Sequence, residues 1–187
     1  MIDQTLTFLL GELNSFLGAT YPAPEPHAVL SDLALPDGTA PQGLENKVVM
    51  TLINVERETA AYSHERSALA QDGTLRQSQS LNLNLLFLMS VSYNNNYAES
   101  LRWLSTALGF FQSKPFFNPE NAPNFPRQLQ RLSLELVTLG VHELQNVWAA
   151  LGAKYRPSVV YKARMVSIPG GWVTERLPTV TGTDTEM

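Results

Sequence analysis

The chain has 187 residues, enough for one domain with a sizeable core. Apolar residues make up 44% and charged residues 16%, below the roughly 25% common in soluble domains, so much of the polar surface is neutral and open to cover by partners. A net charge of −4 argues against a nucleic-acid binder driven by a basic surface, and the lack of cysteine excludes disulfides, thiolate metal sites and cysteine nucleophiles.

The beginning, Met1-Ile2-Asp3-Gln4, lacks the basic region of a signal peptide. No apolar run reaches the roughly 20 residues of a membrane helix. The expectation is a soluble protein made in the cytoplasm, with no direct membrane insertion.

Ile2, Leu6, Leu9, Leu10, Leu13, Phe16 and Leu17 recur at helical spacing and predict an amphipathic helix that Gly18 stops. Residues 21–43 hold five of the twelve prolines and read as an extended arm, with a short edge strand over 28–33. Residues 47–58 predict a strand with Val49, Ile53 and Val55 on one face and Met50 and Leu52 on the other. Residues 59–76 are polar and read as a long loop.

The clearest strand is 80–91, where Leu81, Leu83, Leu85, Phe87, Met89 and Val91 alternate. Asn82 and Asn84 share the opposite face with Leu86 and Leu88, so that face should be wet at one end and covered at the other. Asn96 and Glu99 form a capping-box pattern. The helix after them should run to about Phe111 with Leu101, Leu104, Leu108 and Phe111 inward.

Four prolines break 114–127, another loop. A strand over 129–138 turns Leu132, Leu134 and Leu136 inward, and Arg131, Ser133 and Glu135 outward. A short helix over 141–151 places Leu144, Val147, Trp148 and Leu151 on one side, and Gly152 ends it. The last strand, 158–168, carries Val159, Tyr161, Ala163 and Met165 on one face and Val160, Lys162, Arg164 and Val166 on the other. A turn at Pro169-Gly170-Gly171 leads into a polar tail.

This order predicts an α+β fold: a single domain, 1–168, with a mainly antiparallel sheet and helices packed on one face, followed by a polar C-terminal tail, 169–187.

No constellation for chemistry stands out. His27, His64 and His142 have no metal-ligand spacing, and no nucleophile elbow or phosphate-binding glycine loop is present. Glu56 and Glu58 share a strand face, but Arg57 and the polar loop beside them point to a solvated strand end. No catalytic residue, cofactor or metal site is assigned. Lys162 and Arg164 share a face of the last strand. They read either as a solvent face with a cross-strand partner such as Glu135, or as a contact row for another subunit. Trp148 reads as core.

The stretch Leu144-Gln145-Asn146-Val147-Trp148-Ala149-Ala150-Leu151-Gly152-Ala153-Lys154-Tyr155-Arg156-Pro157-Ser158-Val159-Val160-Tyr161-Lys162-Ala163-Arg164-Met165 resembles the cap, or tail-tube terminator, proteins of contractile phage-tail-like injection systems, such as those of the Photorhabdus virulence cassette and the antifeeding prophage. Asn46 to Glu58, Leu81 to Phe87 and Tyr97 to Gln112 are similar to further segments of that family, in the same order. Arg156 departs from it, standing where an aliphatic residue is expected. Some relatives carry a further C-terminal region, which would leave part of their task here to a second cap protein.

The resemblance implies a tail-terminator-like fold and a non-enzymatic structural role. It implies a ring of six copies on the distal end of the inner tube, touching the sheath protein, ending polymerisation of both and linking them. The particle would form in the cytoplasm of the producing bacterium and be released or retained. Lys162, Arg164, Glu135 and Arg131 are the expected interface residues. Reversing the charges of Lys162 and Arg164 is expected to leave the monomer folded and to end ring formation. The alternatives are another tail component, a connector or baseplate part, and a ligand-binding or enzymatic α+β domain.

Overall fold

The structure is a computed structural model that describes residues 1–58, 67–70, 73–77, 81–168 and 173–178. Its elements are α1 (Ile2–Thr20), β1 (Ala28–Leu30), β2 (Lys47–Arg57), β3 (Ser67–Ala70), β4 (Gly73–Gln77), β5 (Leu81–Ser92), α2 (Tyr97–Ser113), β6 (Phe116–Phe117), β7 (Leu132–Val137), α3 (Val141–Ala150), β8 (Ser158–Ile168) and β9 (Val173–Pro178).

Six strands form one sheet in the order β1-β2-β5-β8-β7-β6, with β1 parallel to β2 and every other pair antiparallel. The alternating leucines of β5 build the main core. Leu85, Phe87, Met89 and Val91 meet Leu9, Leu13 and Leu17 of α1 and Ala107 and Phe111 of α2. Phe87 stacks on Tyr161 at 5.8 Å and meets the edge of Phe111 at 6.4 Å. Each fully buried side chain of this size contributes about 1.5–3 kcal/mol. Gly18 does not end α1, which continues one residue short of Tyr21, whose N–H bonds the Leu17 carbonyl.

The Asn96 side chain caps α2 by accepting from the Glu99 N–H at 3.0 Å. The Glu99 carboxylate turns away to accept from Trp103 Nε1 at 3.0 Å. The face buried by α2 runs through Trp103, Leu104, Ala107, Phe110 and Phe111, so Leu101, expected inward, is exposed. Leu136 is exposed as well.

The two long helices share one face, as the fold class predicts. The short α3 lies on the opposite face, where Trp148 joins Leu33, Leu44, Val49, Leu88 and Val160 in a second core. The reason is visible in β5: Leu88 backs onto Phe87 and Met89, so the middle of this strand is apolar on both faces. Gly152 ends α3 region geometry with a φ of +65°.

Two bulges correct the strand faces. The β2–β5 register shifts between Leu52 and Asn54, so Val55 pairs with Leu85 on the long-helix face, opposite to Val49. The β5–β8 register shifts between Leu83 and Leu85, and Val166 thereby enters the main core beside Leu83. An extra residue moves every later side chain to the other face, which strict alternation cannot foresee.

A second sheet, β3-β4-β9, is antiparallel throughout. Part of the expected loop 59–76 is therefore a hairpin, and part of the expected tail is a strand paired from Gly73↔Pro178 to Gln77↔Val173. Polar sequence without period-two alternation hid both, since backbone pairing alone holds such strands. Its order repeats that of β2-β5-β8, the strands to which β3, β4 and β9 are joined in sequence. The turn at Pro169-Gly170-Gly171 and His64 lie outside the described residues.

The proline-rich arm is fastened around Trp103, whose ring lies 4.8 Å from Tyr21, 4.7 Å from His27 and 5.6 Å from Tyr93. His27 Nε2–H donates to the Tyr21 carbonyl at 2.6 Å. Burial, with the Glu99 charge adding to it, pushes the Tyr93 hydroxyl up to about 12. Burial also raises Tyr161. A folded-state value above the ordinary 10.0 means that the contribution is intact below pH 10 and is lost as pH rises toward about 12. In an alkaline titration followed by phenolate absorbance, Tyr93 and Tyr161 should ionise above the ordinary 10.0, together with loss of the fold. Ionisation of both near pH 10 with the fold intact would contradict this.

Candidate interaction surface

The α3 side of the sheet divides into two halves. One half, Val49, Leu88 and Val160, lies beneath Trp148. The other begins at half-buried Leu86 and Asn82 and carries Asn84, with ion-paired side chains as its cover. The end expected to be wet is instead largely covered, with Asn84 buried and Asn82 half-buried beneath the ion pairs.

Lys162 Nζ lies 3.0 Å from Glu56 Oε2. Arg164 donates to Glu58 Oε2 from Nε at 3.2 Å and from Nη2 at 3.1 Å, and its Nη1 lies 3.6 Å from Glu135. Since β5 runs between β2 and β8, the first two pairs bridge over it at the level of Asn84 and Leu86. Asn84 is 6% exposed beneath them, and its Oδ1 has no hydrogen-bond partner among the described residues. The β2 bulge makes this possible. Without the extra residue Glu56 would share the face of Met50 and Leu52 and point toward the long helices.

Three of the four expected interface residues thus come together: Lys162, Arg164 and Glu135. Arg131 stands apart, its guanidinium 4.8 Å above the ring of Phe116. Glu56 and Glu58 join the cluster, and Glu58 is no solvated strand end, since its side chain is 4% exposed. The signal for them was present: Glu56-x-Glu58 and Lys162-x-Arg164 repeat one spacing with opposite charge. Their strands are not neighbours, so no local pairing rule connects them.

The half-exposed Lys162–Glu56 pair contributes about 1 kcal/mol or less. The Arg164–Glu58 pair matters more, because the Glu58 carboxylate is buried and needs its donors.

An open groove of about 590 Å³ lies between α1 and the loop at 124–128, lined by Thr7, Phe8, Gly11 and Pro126 among others. Its titratable groups are Asp3 and Glu12, and Lys114 holds Glu12 at 2.7 Å. Among the described residues, no helix is long and apolar enough to cross a membrane.

The family model for the Pvc16 N-terminal domain matches residues 4–181. The chain belongs to that family. Two solved structures share the fold over the whole of this chain. The sheath/tube terminator of an extracellular contractile injection system, PVC, in its extended state is 17% identical with a TM-score of 0.58. The tube-terminating cap of the anti-feeding prophage is 15% identical with a TM-score of 0.59. The chain spans 65% of the first and 61% of the second. A search of curated protein sequences finds no match. The α+β architecture expected from the resemblance is that of these two terminators, and the family is the one that the stretch Leu144 to Met165 pointed to.

Proposed function

We propose that the chain is a non-enzymatic cap subunit that ends the tube and sheath of a contractile injection system. The observation that carries this reading is the family match over nearly all of the chain, joined to a fold shared end to end with two proteins named for terminating tubes. A ring, six copies in this proposal, sits on the distal tube end and links tube to sheath. A closed ring satisfies its own contacts by heterologous interfaces, leaving one face for the tube and none that templates a further layer. A second cap protein shares the sheath contact. The particle is assembled in the producing cytoplasm.

In this reading Glu135 and Arg131 lie at the outer contacts, while Lys162 and Arg164 hold the polar half of the sheet in shape through Glu56 and Glu58. Deleting the gene and imaging the particles tests the role. Tubes and sheaths of uncontrolled length are expected, and restored length on complementation. Particles of normal length that lack a baseplate would replace the cap reading with a connector or baseplate part.

A further inference from the structure

The loop between α3 and β8 is held as a projection. Gly152 turns the chain out of α3 at a φ of +65°, and the Val91 N–H holds the Pro157 carbonyl at 3.0 Å, so both ends of the loop are fixed. Within it the Tyr155 ring leans edge-on against Trp148, 5.6 Å away, yet Tyr155 is 62% exposed. Lys154 and Arg156 stand on either side of it. Among the described residues, neither side chain makes an ion pair or a hydrogen bond. Tyrosine and arginine are residue types that anchor interfaces, and here two unpaired cations flank the ring on a chain of net charge −4.

The groove between α1 and the loop at 124–128 complements this loop. Its titratable groups are the acids Asp3 and Glu12, and Phe8, Gly11 and Pro126 give it an apolar part. Asp3 is 81% exposed, with the terminal amine as its ion partner at 2.8 Å. A Cβ added at Gly11 would meet nothing within 4 Å, so the helix surface is bare there. The volume of about 590 Å³ is that of a small-ligand cleft and has room for three side chains. The loop leans on the α3 face of the sheet, while the groove lies along α1 on the other face. One copy therefore cannot give its loop and receive its neighbour's across the same contact. A joint between loop and groove is head-to-tail, the kind that closes into rings.

We propose that the loop Lys154-Tyr155-Arg156 of one copy enters the α1 groove of a second copy. Tyr155 lies on Phe8, Gly11 and Pro126, and the two cations reach Asp3 and Glu12. Glu12 keeps Lys114, at 2.7 Å, so Asp3 supplies most of the attraction. The inference rests on the cap reading and deepens it, because it names the contact by which copies join around the tube.

Two variants test it. In Gly11→Tyr the new ring fills the groove. A glycine inside a helix costs stability, so this chain should melt at or above the wild-type temperature. In competition with the wild-type chain it should enter particles at least about tenfold less. The chain has no cysteine, so Gly11→Cys combined with Tyr155→Cys gives one handle on each side of the joint. In particles, a short bis-maleimide should link this double variant into a ladder of copies on a denaturing gel, while either single variant runs as one chain. A double variant that loads but is not linked overturns the proposal, as does a ladder from a single variant or a link from position 155 to another protein of the particle. So does a folded Gly11→Tyr chain that loads like the wild type. Wild-type chain absent from the particles would instead overturn the cap reading itself, and this inference with it.

Discussion

Trp148→Ala is expected to lower the unfolding free energy by about 4 kcal/mol, within the range of about 3–5 kcal/mol for aromatic-to-alanine changes in cores. Trp148 is 4% exposed, and its ring joins α3 to Leu33, Leu44, Val49, Leu88 and Val160. Its Nε1–H also reaches Ser158 Oγ at 3.3 Å. No other side chain of α3 is fully buried, and Leu144 only flanks the same core, so the same helix can replace little of the lost packing. Water would then reach Leu88 and Val160 on the central strands. Urea unfolding measures the change, and Trp148→Phe should recover most of it by refilling the space without the hydrogen bond. A loss below about 1.5 kcal/mol for the alanine variant would mean that α3 is not holding this face.

Replacing Arg164 by Met is expected to cost about 2–3 kcal/mol, and reversing Lys162 and Arg164 together should cost more. Removing one partner of a buried ion pair typically costs about 3–5 kcal/mol, and Arg164 falls at or below the low end because its own side chain is 39% exposed. The cost comes from Glu58, whose carboxylate remains buried with fewer donors. Double reversal adds two carboxylates near Glu56, Glu58 and Glu135. The sequence-based expectation that such a variant keeps its fold is therefore revised: a loss of assembly in it would report lost stability before it reported a lost contact. Thermal melts separate the two. A double reversal that melts like the wild type would show that the pairs across β5 do not hold the sheet. Adding Glu58→Gln to Arg164→Met should restore about half of the lost stability, since the buried group is then neutral.

Most of the elements were legible because they carry their own periodicity. α1, β5, α2, α3 and β8 each show a helical stripe or an alternation that needs no distant partner. The hairpin of β3 and β4, and β9, were not legible, because their polar residues form strands only through pairing with each other. The exposure of Leu101 and Leu136 was hidden for a related reason. A local pattern shows that a side chain can be buried, but whether a neighbour covers it depends on how the elements around it are placed and rotated.

The interaction surface divides in the same way. That Lys162 and Arg164 share a face with Glu135 follows from alternation on adjacent strands. That Glu56 and Glu58 meet them required a bulge at Ile53 and a strand order that sets β5 between the two pairs. Helices, strands and the family word from Leu144 to Met165 are local in the chain, so the sequence by itself determined them, and with them membership of the Pvc16 N-terminal domain family. The charge network joins residues 106 positions apart across a one-residue shift of register, the second core joins Leu33 to Trp148 and Val160, and only the folded chain decides those distances.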